Sequence, residues 1–544
     1  MKIHRLIVIS LCLAAPLFAK PPADLQQKLD AFVKGGPGGA AAAWVDADGT
    51  AFFSSGTFAA NDPRPITPDT VFEVGSLSKV FTALLLAESE QLGKVSRHDS
   101  AAKYLLPAND PAQGLLANII LLSLTTHTSG LPRLPANIGP NPDGVPQPYA
   151  AYDRAMMVEA LRFYGPSAVV GKKEMYSNFG GALLGESLAA AWGTSYADAL
   201  ATHVLTPLGL KATTVGLTHS PAPKDLAPGH VDGKVVPDWT WEAFAPAGGV
   251  RSSARDMARL VAAGLAKSDG PLHAAFAATL QPQHALDDMN GQIGLGWMFT
   301  DDAANPVVWH NGATAGSHSF VAFSPKTGSG IVILANMQRP SEALGFALLG
   351  AKPPGPKGEM IKNAADYVGL YSLTPTAGFT MFELDGTLRG KLGNQPSFGL
   401  HAVAPDRFSV MGVSAEISFE RGADGKVNVL ILHQNGVDQR APRNQLPNEV
   451  ELPAATLHEY TGAFALTPNF IVTITDEAGH LFAQATGQGK LPIYASAKDE
   501  FFYKLVVAKL SFQRNAAGQV SGLTLHQGGR DLPAPKSAAS LGQQ

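Results

Sequence analysis

The sequence predicts an α/β domain, a sheet flanked by helices, followed by two small all-β domains. Three observations carry that expectation. The chain has 544 residues, more than one hydrophobic core serves, so about two to four domains are expected. Up to about residue 350 helix-like and strand-like patterns are mixed. Beyond Pro353, Pro354, Gly355 and Pro356 the helical period vanishes and short alternating, glycine-rich runs replace it. The expected divisions are a leader over residues 1–19, the mixed domain over 20–352, and β-barrel repeats over 360–445 and 453–538.

The N-terminus reads as a secretory signal peptide. Lys2 and Arg5 precede an apolar run from Leu6 to Phe18, interrupted by Ser10. That run is too short to span a bilayer. Cleavage after Ala19 fits, although Leu17 is larger than the residue preferred there. The mature protein is thus expected in the periplasm or outside the cell, without a transmembrane segment. The single cysteine, Cys12, lies inside the leader, so no disulfide framework or cysteine-based metal site is expected. No HExxH-type helix is present either, and no cofactor is expected. Lys plus Arg number 41 against 45 Asp plus Glu, without a long basic stripe, which argues against a nucleic-acid partner.

In the mixed domain, Ala23–Val33 reads as a helix, and Ala41–Trp44 and Ala51–Ser54 as strands. Ser76–Leu92 is a strong helix, and its Leu84, Leu85, Leu86 and Ala87 predict burial on most sides. Gly93 ends it. Ser253–Ala266 is helical by pattern, and Val307–Trp309, Phe320–Phe323 and Ile331–Ala335 read as strands. Helices on a sheet are the expected packing.

The C-terminal part is a tandem repeat with an offset of 93 residues: Tyr367 and Tyr460, Leu388 and Leu481, Phe408 and Phe501, Phe419 and Phe512, His433 and His526. Each copy is long enough for about eight short strands, which suits a small antiparallel barrel. The repeated Leu-His-Gln triplets, Leu432–Gln434 and Leu525–Gln527, read as structural rather than as ligands.

Ser76 and Lys79 form a Ser-x-x-Lys at the start of the long helix. The i to i+3 spacing puts both on one face, with the amine near the hydroxyl. The helix N-terminus adds N–H groups where an oxyanion would form. Ser100 and Lys103 match the same pattern, but their setting reads as a capped surface helix. Two further motifs separate the candidates: Tyr176-x-Asn178 before a small-residue helix, and His310-x-Gly312 on a strand.

These motifs, in this order, resemble the penicillin-recognising serine hydrolases, the branch of class C β-lactamases, DD-peptidases, D-aminopeptidases and β-lactamase-like esterases. The likeness extends to Leu124–Pro132, Pro246–Ser252 and Ser319–Asn336, about 330 residues in all. It implies a β-lactamase/transpeptidase-like antiparallel sheet flanked by helices, with lipocalin-like barrels after it. It further implies Ser76 as nucleophile, Lys79 as the cation beside it and Tyr176 as general base or relay. Asn178 and His310 would bind substrate, Gly312 and Ala313 would line the site, and the oxyanion hole would be the N–H groups of Ser76 and Ala313. The implied substrate is a small peptide, ester or β-lactam.

The third motif departs from the usual Lys-Thr-Gly of the β-lactamases. Lys326-Thr327-Gly328 does occur, but between two strand-like runs, where it reads as a hairpin turn. Bringing a tyrosine from its usual pKa of about 10 to near 7 takes about 4 kcal/mol. One cation at ~4 Å and effective dielectric ~20 supplies about that much, and Lys79 is expected to be that cation. His310 would help only while protonated, titrating near neutrality. His-x-Gly is similar to peptidases and esterases more than to efficient β-lactamases.

Overall fold

The computed structural model describes residues 20–138, 147–165, 168–231, 233–266, 270, 272–287, 289–355, 364–374, 378–384, 387–393, 397–410, 415–434, 437–467, 470–477, 479–486, 490–504, 506, 508–527 and 530–537. The expected leader lies outside the described residues. The chain divides into two units at Pro356 and Lys357.

The run Gly39 to Val45 offers no polar face, so a strand made from it must be covered on both sides. It forms the Gly39–Asp46 strand near the middle of a nine-stranded antiparallel sheet. The sheet order is Asp62–Pro65, Gly49–Ala59, Gly39–Asp46, Ser329–Ala335, His318–Ser324, Val308–Ala313, Met298–Phe299, Gln292–Ile293, His284–Ala285. Side chains alternate across it as the pleat requires. Ala41, Ala43, Val45, Val332 and Leu334 enter one core, while Ala40, Ala42, Trp44, Ile331 and Ile333 enter the other. Helices Leu25–Val33 and Glu342–Leu348 cover the second face, and Ala254–Leu265 covers the first.

Against the first face lies a helical layer around Ser78–Gln91, which is buried along most of its length. Its neighbours are Asn178–Trp192, Ala245–Gly248 and His273–Thr279. The expected helix start at Ser76 is refined: residues Gly75–Leu77 form a 3-10 turn, and the α-helix proper begins at Ser78. Thr82 Oγ1 pins it, 2.7 Å from Tyr196 Oη and 2.8 Å from the Pro246 carbonyl. Among the described residues no helix is long and apolar enough to cross a membrane.

The second unit holds two eight-stranded antiparallel sheets, Gly369–Pro442 and Gly462–Pro535. Each sheet is nearly closed by a bridge between its ends, Tyr371 with Arg443 and Phe464 with Lys536. These bridges, too, are 93 residues apart. The repeated histidines are structural cross-links. His433 reaches Asp438 and Ser418, each at 2.7 Å, and His526 reaches Asp531 at 2.7 Å and Ser511 at 2.8 Å.

Asn336 fastens the first domain where its ends meet. Its Oδ1 accepts from Gly39 N at 2.7 Å, and its Nδ2 donates to the carbonyls of Phe58 at 2.7 Å and Pro228 at 2.9 Å. The residue is wholly buried. Asn336→Ala would orphan two buried backbone groups, each worth about 1–3 kcal/mol, and a partly buried third. The expected loss is roughly 3 kcal/mol or more, read as a lower denaturation midpoint at unchanged m-value.

Candidate active site

The Gly75–Leu77 turn that carries Ser76 is built by close backbone approach. Gly75 adopts φ +53°, and a Cβ there would stand 2.6 Å from the Ala313 carbonyl oxygen. A Cβ on Gly312 would stand 2.1 Å from the Val74 carbonyl oxygen and 2.8 Å from Ser76 N. Only glycines at both places let the Val308–Ala313 strand lie against the turn. The backbone N–H groups of Ser76 and Ala313 are thereby neighbours. Ser78 locks the turn, donating from Oγ to the Gly75 carbonyl at 2.7 Å and accepting from Val250 N at 2.9 Å.

Lys79 Nζ is the convergence point. It lies 3.2 Å from Ser76 Oγ, 2.8 Å from Asn178 Oδ1 and 2.7 Å from the Ala247 carbonyl. Both of the last two are carbonyl oxygens, which only accept, so they take two N–H bonds. Burial, reinforced by the Arg133 charge, holds the amine well below its ordinary pKa. In its neutral form the amine has two N–H bonds and one lone pair, so with both bonds used the lone pair would be left for the Ser76 hydroxyl.

Tyr176 hydrogen-bonds Ser76 from the other motif, and burial pushes its phenol up to about 12. Burial thus drives both groups toward their neutral forms, amine and phenol. These directions oppose the lowered phenol and permanent ammonium expected from the sequence, because desolvation is the largest influence on each group. Asn178 opens the Asn178–Trp192 helix, whose cap is Ser177 Oγ, accepting from Gly180 N at 2.8 Å.

His310 sits on the Val308–Ala313 strand and is 2% exposed. Burial and the neighbouring Lys79 lower its pKa to about 3. The titration expected near neutrality is thus displaced. Its Nδ1 lies 2.6 Å from the Asn311 carbonyl, which can only accept, so Nδ1 carries the proton and Nε2 the lone pair. Gly312 is buried and Ala313 is exposed at the end of the strand.

Sequence reasoning missed several contributors. His127, in the left-handed region at φ +58°, packs its ring 4.4 Å from that of Tyr176 and accepts from Ser177 N at 3.2 Å. Arg133 lies 5.1 Å from the Tyr176 ring centroid. Tyr149, stacked on Trp241 at 4.4 Å, accepts from Asn178 Nδ2 at 3.4 Å. Glu73, its carboxyl raised by burial to about 7, accepts from Trp239 N and Thr314 Oγ1, both at 2.7 Å. The spacing of Glu73 before Ser76 and of His127 before Tyr176 carried no signal of contact by itself.

The two competing motifs lie elsewhere. Ser100 Oγ donates to the Leu116 carbonyl at 2.9 Å and accepts from Ala102 N, while Lys103 pairs with Asp99 at 3.0 Å. Lys326 lies in the turn between His318–Ser324 and Ser329–Ala335, and its Nζ donates to the Ala304 carbonyl at 2.6 Å.

A helical layer on an antiparallel sheet, with serine, lysine and tyrosine meeting between them, defines a hydrolase of the serine β-lactamase and penicillin-binding class. The chain belongs to the beta-lactamase family, whose model matches residues 25–350. A second model, described as "Domain of unknown function (DUF3471)", matches residues 446–536. A protein called "Beta-lactamase" from Escherichia coli (strain K12) is 30% identical over 52% of this chain and 79% of its own length. "Penicillin-binding protein 4*" of Bacillus subtilis (strain 168) is 26% identical over 71% of this chain and 90% of its own. The crystal structure of a class C beta lactamase from Rhodobacter sphaeroides shares the fold, with TM-score 0.50 and 24% identity, covering 60% of this chain and 99% of that one.

The state of His310 can be checked by stability. An unfolded histidine gains its proton near pH 6.5, whereas folded His310 remains neutral down to about pH 3. Unfolding takes up a proton across that window, so this contribution is full above it and is lost as pH falls. The slope is up to about 1.4 kcal/mol per pH unit for the one proton. The stability difference between wild type and His310→Asn should therefore narrow on acidification. Imidazole nitrogen chemical shifts should report the Nδ1–H tautomer at neutral pH.

Proposed function

We propose that the protein is an exported hydrolase that forms an acyl-enzyme on Ser76, acting on a D-amino-acid peptide or a small ester. The observation that carries this reading is the set of three oxygens around Lys79 Nζ. Neutral Lys79 takes the proton of Ser76 Oγ as that oxygen attacks the acyl carbon. The resulting oxyanion accepts from the N–H groups of Ser76 and Ala313, charge stabilisation that exists only once the carbonyl has been attacked. When the acyl–leaving-group bond breaks, the Tyr176 phenol gives its proton to the departing amine or alkoxide and regains one from Lys79. Water then enters, loses a proton along the same route and releases the acid. Asn178 holds Lys79 through Oδ1 and leaves Nδ2 toward Tyr149 and the acyl side chain of the substrate.

Neutral His310 favours esters, and peptides that present no carboxylate to it, over β-lactams. A β-lactam carries a carboxylate, and a buried imidazole with a pKa of about 3 offers it no charge. Export rests on the leader over residues 1–19. The relatives named beta-lactamase keep β-lactam hydrolysis as the alternative, and a panel of D-peptides, esters and β-lactams on the mature protein decides between them.

A fluorophosphonate probe mapped by mass spectrometry should label Ser76. Ser76→Ala should abolish labelling and turnover, and Ser100→Ala should leave both intact; modification of any other serine overturns the mechanism. His310→Ala should lower kcat/KM by about 10²-fold. Lys326→Ala should change it little, as a turn lysine is solvated.

A further inference from the structure

The tandem repeat supplies an internal comparison, because strands of the two barrels correspond at the constant offset of 93 residues. A cavity of about 340 Å³ opens in the second unit, within the size range of small-molecule sites. Its apolar lining is Leu370, Leu446, Phe502, Tyr503, Val506 and Ala508, and Lys509 and Arg530 stand at it as cations. Ala508, His526, Gln527 and Asp531 also line it, and each has the same residue type in the first barrel: Ala415, His433, Gln434 and Asp438. The scaffold has therefore been kept. Val506 likewise matches Val413, but four positions differ: Phe502, Tyr503, Lys509 and Arg530 replace Ser409, Val410, Glu416 and Val437. The second barrel has gained two aromatic rings and two positive charges where the first has one negative charge.

The charge change is not internal compensation. In the first barrel Arg407 and Glu416 form an ion pair at 2.7 Å. The second barrel has the signs exchanged, Glu500 and Lys509, but Glu500 instead accepts from Ser511 Oγ at 2.8 Å. Lys509 and Arg530 are exposed, and among the described residues neither makes an ion pair. Two cations at the edge of an aromatic-lined cavity match an anion carried on an apolar body.

We propose that this cavity is a binding site for a small amphipathic carboxylate, whose apolar body packs against Phe502, Tyr503 and Leu446 while its carboxylate meets Lys509 and Arg530. The site uses none of the residues placed around Ser76.

The test is calorimetric titration of phenylbutyrate into the full chain carrying Ser76→Ala, with phenylbutyramide as the uncharged control. One equivalent of phenylbutyrate should bind, and the amide should bind at least about 10-fold more weakly. Lys509→Glu with Arg530→Val writes the first barrel's residues into the second and should weaken phenylbutyrate by about 10-fold or more. Lys509→Arg should preserve binding. The double variant should melt as the parent does and, with Ser76 restored, hydrolyse a small ester at the parent's rate. No saturable binding, equal affinity for acid and amide, or affinity unchanged in the double variant would each overturn the proposal.

Discussion

The buried amine of Lys79 is the constraint on which the rest of the catalytic domain depends. Taking a charged ammonium out of water costs several kcal/mol, so the group is either neutralised or fully coordinated. Here its oxygens come from three separate elements: the Gly75–Leu77 turn, the start of the Asn178–Trp192 helix and the short Ala245–Gly248 helix. One nitrogen thus fixes the relative position of three segments far apart in sequence. Thr82, one helical turn further on, repeats the device with Tyr196 and the Pro246 carbonyl. Amine position and helix position are therefore set together.

The sheet contributes the other half of the site through backbone alone. The Val308–Ala313 strand pairs with His318–Ser324 and leaves its other side, at Gly312 and Ala313, against the Gly75–Ser76 backbone. Ser319 Oγ donates to the Val74 carbonyl at 2.8 Å, tying the strand behind it to the same turn. Glu73 joins Thr314 to Trp239 across the gap. Side chains larger than hydrogen at residues 75 and 312 would separate these surfaces, which is why the motif residues are glycines.

Much of this was legible in the sequence, and the remainder failed for definable reasons. The paired offsets of 93 residues revealed the duplication because the matched positions lie on equivalent strands or, for Tyr367 and Tyr460, on the equivalent turns that precede the first strand of each sheet. The central strands were visible as unbroken apolar runs, since burial on both faces removes alternation. Ser76, Lys79, Tyr176, Asn178 and His310 stood out through local motifs, and the fold brings them or their backbones together. His127, Arg133 and Tyr149 were invisible as site residues because their relation to Tyr176 and Asn178 exists only after the chain has folded. The directions of the pKa shifts were not legible for a different reason. A motif shows which charges are adjacent, whereas desolvation depends on everything packed around them.

That desolvation acts in one direction across the whole site. Burial pushes Glu73, Lys79, His127, Tyr176 and His310 each toward its neutral form. In the mechanism proposed above, a site whose buried groups are pushed toward neutrality would gain most when charge appears in opposed pairs. Transfer of the Ser76 proton to Lys79 would create an ammonium as an oxyanion forms beside it, and in a low dielectric each would stabilise the other far more than water would. Before that transfer neither of these two charges would exist, so the ground state would gain nothing from their attraction. The stabilisation would then fall on the transition state, lowering the barrier rather than tightening substrate binding. The burial that looks unfavourable for a lysine is, on this account, the source of the site's selectivity for the reacting configuration.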